Sequence, residues 1–221
     1  MFEQYLVIFD MDGVLADTGP IHFESWKKMA KEQGAEFTKD FFEETFGQQA
    51  VTITRKLLGD DYSDDEIERL ADLKEQYYRD MVRGELEPLA GVMDLIKQLD
   101  QKGVNLGVGS SGAEANVDLL LTTLNIKDYF DVIVTAEDVE EGKPEPGVFL
   151  KAAREVSVAP RNTIVIEDAP VGIEAARRAG MKTIALMTTH NRKNLIEADL
   201  IVENLKYIDI EDILELVNLD I

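Results

Sequence analysis

The sequence predicts an α/β fold built on a parallel sheet, with an all-helical segment inserted after the first strand. Three observations carry this expectation. Short apolar runs recur along the chain, helical patterns lie between them, and one long stretch near the start holds helical patterns alone. Strand and helix alternate because parallel neighbours need a crossover connection between them.

The first apolar run, Leu6–Phe9, reads as a buried strand. It delivers two aspartates, Asp10 and Asp12, followed at once by Gly13. From Gly19 to Gly84 no strand-like run occurs. Phe23–Gln33 is amphipathic and stops at Gly34, with Trp26 and Met29 expected to pack inside this helical unit. Lys39–Phe46, Val51–Leu58 and Asp64–Val82 carry helical patterns too, the last opened by the capping-box pair Ser63 and Glu66. Pro88 and Gly91 mark the return to alternation. Val92–Gln101 is helical and ends at Gly103, strand Val104–Val108 follows, and Val117–Leu124 is helical again. Strand Val132–Val134, helix Val148–Val156, strand Thr163–Ile166 and helix Val171–Ala179 continue the series, with Gly180 as a C-cap. Strands Thr183–Leu186 and Leu200–Val202 close it. The expected division is a catalytic core of residues 1–16 and 85–221 with a helical lid of residues 17–84 over the first strand's carboxyl end.

Bulk properties bound the function. The chain has 221 residues, enough for one large domain or a domain with a sizeable insert. Its 23 basic and 44 acidic residues give a net charge of −21, which argues against nucleic-acid and anionic-membrane partners. No apolar stretch is long enough to cross a bilayer, and the first strand starts too early to leave room for a signal peptide. Cysteine is absent, so disulfides and thiol chemistry are excluded. A cytoplasmic protein is the expectation. An anionic substrate would be repelled by the global field and would need a local cation and well-placed donors.

Four sites fall at or just beyond predicted strand ends, where open α/β sheets bind ligands. The first is Asp10–Met11–Asp12–Gly13, whose carboxylates share one side of an extended chain. Two acids there suit a metal, a nucleophile, or both. A calcium loop would need glycine at its sixth position, and here it stands fourth, so that alternative fails. The second is Gly109–Ser110–Ser111–Gly112 before a helix, where hydroxyls and free N–H groups suit an anion, although such pairs are more often turns and caps. The third is Lys143, held between Gly142 and Pro144; an exposed lysine in a proline-rich turn is its plain alternative. The fourth is Glu167–Asp168, ending a buried strand before Pro170, with capping by Asp168 as the alternative. Asp10, the Asp12 carbonyl and Asp168 together make a hard-oxygen set suited to Mg²⁺.

In combination and order, the four motifs resemble those of the haloacid dehalogenase (HAD) superfamily. The resemblance covers nearly the whole chain. The helical insert looks like that family's small C1-type cap on a Rossmann-like core. FDMDGVLADT, His22–Phe23–Glu24–Ser25–Trp26, GKPEPGVF and IEDAPVGIEAARRAG are most similar to the β-phosphoglucomutase-like phosphatase branch.

The resemblance implies roles. Asp10 is the nucleophile that forms an aspartyl-phosphate, and Asp12 is the general acid and then base. Asp10, Asp12 through its carbonyl, and Asp168 hold Mg²⁺, with Glu167 behind them. Ser110 and Lys143 bind phosphoryl oxygens, with Ser111 and Gly112 beside them. His22 matches a cap-hinge histidine, Lys74 a cap lysine that reaches substrate, and Thr18 and Asn116 positions near the site. For Lys74 a solvated helix lysine is the alternative, and for Thr18 and Asn116 capping is. His190 matches no motif and is expected to be structural or exposed. The implied partner is a small phosphorylated metabolite and the implied state a monomer.

One departure bears on the reaction. The mutases of this branch carry an arginine shortly after the cap glycine to hold a distal phosphate. Here Gly47 is followed by Gln48, Gln49, Ala50 and Val51, and the next arginine is Arg55. The expected activity is therefore a Mg²⁺-dependent phosphomonoester hydrolase. β-Phosphoglucomutase is the close alternative, and a non-catalytic regulatory protein binding a phosphorylated ligand is the alternative of a different class.

Overall fold

The structure, a computed structural model, describes residues 5–82 and 86–218. Six parallel strands form one sheet: β1 (Leu6–Phe9), β2 (Asn105–Gly109), β3 (Val132–Val134), β4 (Thr163–Glu167), β5 (Lys182–Leu186) and β6 (Leu200–Val202). Their order is β3-β2-β1-β4-β5-β6. The chain thus winds outward from β1 through β2 to β3, then returns to the other side of β1 for β4, β5 and β6. The reversal lies between β1 and β4, whose ladder pairs Leu6 with Thr163 and Phe9 with Ile166. A crevice opens at such a switch point, beyond the strands' carboxyl ends.

β1 is central and reads as an unbroken apolar run because both its faces are covered. Val7 and Phe9 join a layer with Leu95, Ile96 and Leu99 of α5 (Val92–Gln101), Leu120 of α6 (Glu114–Thr123) and Ile213 of α9 (Ile210–Asn218). Leu6 and Ile8 point the other way, onto Phe149 of α7 (Gly147–Glu155) and Ala176 of α8 (Pro170–Arg178). All four β1 side chains are fully buried, each contributing about 1.5–3 kcal/mol. A fully buried strand therefore leads directly into the aspartates.

Four helices form the cap inserted after β1: α1 (Gly19–Glu32), α2 (Lys39–Thr45), α3 (Ala50–Leu58) and α4 (Asp64–Met81). Trp26, Met29, Phe37, Ile53 and Leu70 make their separate apolar core, with Trp26 stacked on Phe37 at 5.6 Å. Ser63 and Glu66 cap α4 reciprocally, as the sequence predicts.

Some boundaries differ from the expected ones. α1 begins at Gly19 rather than Phe23, because Pro20 in the first turn presets a helical φ. His22 consequently lies on the helix, one turn from Thr18. α9 is absent from the sequence-based reading. Its start is fixed by reciprocal bonds between Asp209 and Asp212, at 3.0 and 3.1 Å, a side-chain device with no strong sequence signal. The expected cap–core boundary at residues 84 and 85 lies outside the described residues.

Candidate active site

The loop after β1 continues the sheet's bonding, since the Asp10 N–H donates to the Ile166 carbonyl at 2.9 Å. Gly13 then turns the chain with φ +75°, and a Cβ there would overlap the Asp168 carboxylate. This glycine is required both by its left-handed backbone and by the close approach of the β4 loop. Thr188 ties the two loops together, donating to the Gly13 carbonyl at 2.5 Å beside Asp168 Oδ2 at 3.4 Å.

Lys143 comes from the loop before α7 and is buried, not exposed in a turn. Its Nζ donates to Asp10 Oδ1 at 2.5 Å and Glu167 Oε1 at 2.7 Å, and lies 4.8 Å from the Phe149 ring centroid. The other Glu167 oxygen accepts from the N–H groups of Asp168 and Ala169 at 2.8 and 2.9 Å. A Cβ at Gly172 would collide with this carboxylate, so α8 can sit close only with glycine there. Glu167 therefore orients the loop and the lysine. Asp168 does not cap α8, whose N-cap is Ala169 with no side-chain bond.

Asp10, Glu167 and Asp168 bring carboxylate oxygens within 4.8 Å of one another, all buried. Lys143 is the one cation bonded to this cluster among the described residues. Burial, then the charges of Glu167 and Asp12, push the Asp10 carboxyl up to about 7 despite Lys143. Burial and the Glu167 and Asp10 charges likewise hold Asp168 well above the ordinary range. Burial opposes the charge on Lys143, but Asp10 and Glu167 outweigh it and raise its pKa above the usual lysine value. The excess of buried carboxylate oxygen over positive charge fits a hard divalent cation such as Mg²⁺.

Asp12 faces the cap. Its Oδ1 accepts from Thr18 Oγ1 at 2.5 Å and lies 3.1 Å from His22 Nε2. Thr18 thus binds Asp12 rather than capping α1, where it makes no side-chain bond. Lys74 Nζ lies 2.7 Å from His22 Nδ1 and 2.9 Å from Glu75 Oε1. An ammonium only donates, so Nδ1 accepts, Nε2 carries the hydrogen, and Asp12 receives it. Tyr78 stacks on the imidazole at 4.0 Å and fixes its plane. Burial alone would raise the Asp12 carboxyl; the His22 ring, Thr18 and Lys74 outweigh it and hold it below the ordinary range. Lys74 is therefore not a solvated helix lysine, being 2% exposed.

Ser110 is buried and its Oγ accepts from the Gly112 N–H at 2.9 Å. Ser111 Oγ is buried without a partner among the described residues. Ser111 and Gly112 line a cavity with Asp10, Asp12 and Ser110 below and His22, Trp26, Phe46, Gln48, Ile53, Lys74 and Glu75 above. An orphaned hydroxyl at a cavity wall is one that an incoming oxygen can satisfy. Asn116 does not cap α6; it contacts the cap through Glu75 and Arg79. Arg55 is turned away, its guanidinium on the Gly59 and Tyr62 carbonyls and Asp64.

Sequence reasoning missed Glu75, Tyr78, Arg79 and Phe46, which carry no motif and were hidden in ordinary amphipathic helices. His190 is half-buried and links core to cap, its nitrogens 3.1 and 3.0 Å from the Asp168 and Glu43 carbonyls.

These elements match known proteins. Residues 7–186 match the family model of haloacid dehalogenase-like hydrolases. The validoxylamine A 7'-phosphate phosphatase of Streptomyces hygroscopicus subsp. limoneus is 32% identical over 90% of this chain and 93% of its own length. The fructose-1-phosphate phosphatase of Escherichia coli is 33% identical over 83% of this chain and 97% of its own. The crystal structure of a β-phosphoglucomutase from Clostridium difficile aligns with a TM-score of 0.90 at 30% identity, covering 98% of both chains. With its sheet order, acidic strand ends and helical cap, the chain belongs to the haloacid dehalogenase-like hydrolases, in their β-phosphoglucomutase-like phosphatase branch.

Proposed function

We propose that the protein is a Mg²⁺-dependent phosphomonoester hydrolase acting on a small phosphorylated metabolite such as a sugar phosphate, through an aspartyl-phosphate on Asp10. The observation that carries this reading is the buried contact of Lys143 with Asp10 at 2.5 Å, beside the acidic cluster. Lys143 places positive charge where phosphoryl oxygens must lie, answering the repulsion of a protein with net charge −21. Phosphoryl transfer needs positioning and charge stabilisation more than covalent assistance.

In the proposed sequence, an Asp10 carboxylate oxygen attacks phosphorus in line. The ester oxygen departs and takes a proton from Asp12, which must first gain it from solvent because His22, Thr18 and Lys74 outweigh burial and keep the carboxyl ionised. Asp12 then removes a proton from the attacking water, which releases phosphate and restores Asp10. Ser110, Ser111 and the Gly112 N–H supply donors to the phosphoryl oxygens. Asp10, the Asp12 carbonyl and Asp168 would hold Mg²⁺, with Glu167 positioning them. Bound there, the ion neutralises phosphoryl charge in the transition state. The proposed units are the core, residues 1–16 and 85–221, and the cap, residues 17–84, whose closure excludes bulk water.

Water is favoured over a sugar as acceptor by the cavity's chemistry. Gln48, not an arginine, lines the cap wall, and its Oε1 already accepts from Lys56 at 2.8 Å. Among the described residues no guanidinium lines this cavity for a distal phosphate, and Arg55 is bonded elsewhere. The test is incubation with β-glucose 1-phosphate, Mg²⁺ and a trace of glucose 1,6-bisphosphate. Release of inorganic phosphate is expected; accumulation of glucose 6-phosphate would make the protein a mutase.

A further inference from the structure

A path of polar contacts leaves the core at Asp12, crosses the cap and re-enters the core at Asn116. Asp12 contacts His22 at 3.1 Å, His22 contacts Lys74 at 2.7 Å, and Lys74 contacts Glu75 at 2.9 Å. Glu75 Oε2 then accepts from Asn116 Nδ2 at 2.5 Å. Asn116 sits in the first turn of α6, immediately after the Ser110–Gly112 loop, and is fully buried. Its Oδ1 accepts from Arg79 Nη1 at 2.8 Å. One orientation of the amide satisfies both neighbours: nitrogen toward the carboxylate, oxygen toward the guanidinium.

Glu75 and Arg79 are one helical turn apart on α4. A single core amide that grips both fixes the rotation and the axial position of α4 against the core. Lys74 is carried on that helix. Its ammonium must meet His22 Nδ1 for the imidazole to present its N–H to Asp12. A buried lysine–glutamate pair adds little stability compared with apolar packing, so its retention in an aromatic-rich cap calls for another reason. As the last cap residue of the path before Asn116, Glu75 is placed to hold the lysine and to anchor it to the core at the same time.

We propose that Glu75 and Asn116 are positioning residues for Asp12: the clasp of Asn116 on Glu75 and Arg79 seats the cap so that Lys74 and His22 orient the acid/base carboxyl. The proposal rests on the hydrolase reading and on Asp12 as its proton donor. It separates from a merely structural role through the leaving group. 4-Nitrophenolate departs from phosphorus without needing a proton, whereas phenolate benefits from one. The two esters have the same ring and nearly the same shape, so damage to the cap or cavity acts on both alike.

The experiment compares kcat/KM for phenyl phosphate and 4-nitrophenyl phosphate, at saturating Mg²⁺, in the wild-type protein and in Glu75→Ala, Asn116→Ala and the double variant. kcat/KM reports events through phosphoryl transfer to the enzyme and leaves out the later hydrolysis step. The ratio of the nitrophenyl to the phenyl value is expected to rise about tenfold in each single variant, as loss of proton donation demands. The double variant is expected to show the ratio of the singles, not their product, because both cut one path. A ratio unchanged from wild type overturns the proposal, whether or not both rates fall. Asn116→Ala removes only a side chain at the cap–core contact, so it tests the proposal even where Glu75→Ala fails to fold. A wild-type protein inactive on both esters would overturn the hydrolase reading itself, and a wild type active on both with an unmoved ratio in the variants overturns only the clasp.

Discussion

Asp10 and Asp12 stand two residues apart and have opposite electrostatic surroundings. Asp10 lies among buried carboxylates with Lys143, and its pKa is pushed up to about 7; Asp12 lies against His22, Thr18 and Lys74 and is held below the ordinary range. A raised carboxyl binds its proton more tightly in the folded state than in the unfolded one. Stability then falls as pH rises from the usual carboxylate range to about 7, and the penalty is complete above it. A divalent cation bound to the ionised cluster would remove that penalty. In a chelator, Asp10→Asn is therefore expected to gain on wild type in unfolding free energy between about pH 5 and about pH 8, by on the order of a few kcal/mol. With saturating Mg²⁺ the gain is expected to shrink as wild type is stabilised. Denaturant unfolding at the two pH values checks both; a pH-independent gap would contradict the charge excess.

Whether these residues could be read from the sequence depended on what surrounds them. Asp10, Asp12, Lys143, Glu167 and Asp168 each close a strand or a restrained turn, so an apolar run or a glycine–proline frame pointed at them. Thr18 and Asn116 could equally have been caps, and only the fold shows their hydroxyl and amide committed to Asp12 and Glu75. Glu75 and Arg79 carry no motif; it is the contact of α4 with Asn116 of α6 that buries Glu75 and half-buries Arg79.

At the scale of elements, position in the sheet determines function. β1 and β4 are adjacent though far apart in sequence, which brings Asp10 and Asp168 to one crevice. The apolar period predicted every strand, because strands covered on both faces leave an unbroken apolar run. It predicted the interiors of α1 to α8 but not all their ends, and it did not predict α9. Pro20 starts α1 earlier than its apolar stripe does, and the Asp209–Asp212 pair starts α9 with no strong sequence signal. Gly172 shows a further kind of constraint. Nothing in a helical pattern distinguishes it, yet α8 cannot lie against the Glu167 carboxylate with any larger residue there.

The whole molecule carries a net charge of −21, yet the proposed substrate is an anion. In the proposed reaction, local positive charge on Lys143 and a cation on the acidic cluster would overcome a field that opposes approach. Screening that field with salt should help the substrate reach the site. Raising NaCl from about 0.02 to about 0.2 M is expected to increase kcat/KM for a phosphomonoester, on the order of twofold. A steep fall over the same range would mean that the approach path is positive. Cap and core meet at polar links that include Thr18 and His22 on Asp12, Asn116 on Glu75 and Arg79, and His190 between the Asp168 and Glu43 carbonyls. The same cap–core contacts thus reach both Asp12 and the loop of Asp168.

All of this turns on Asp10 as the atom that receives phosphorus. The most direct measurement is acid quenching during turnover of a phosphomonoester that the protein hydrolyses in the presence of Mg²⁺, followed by peptide mass mapping. One phosphoryl mass on the peptide that contains Asp10 is predicted, absent from Asp10→Asn, which should also release no phosphate. Steady turnover with no adduct at Asp10, or an active Asp10→Asn, would contradict it.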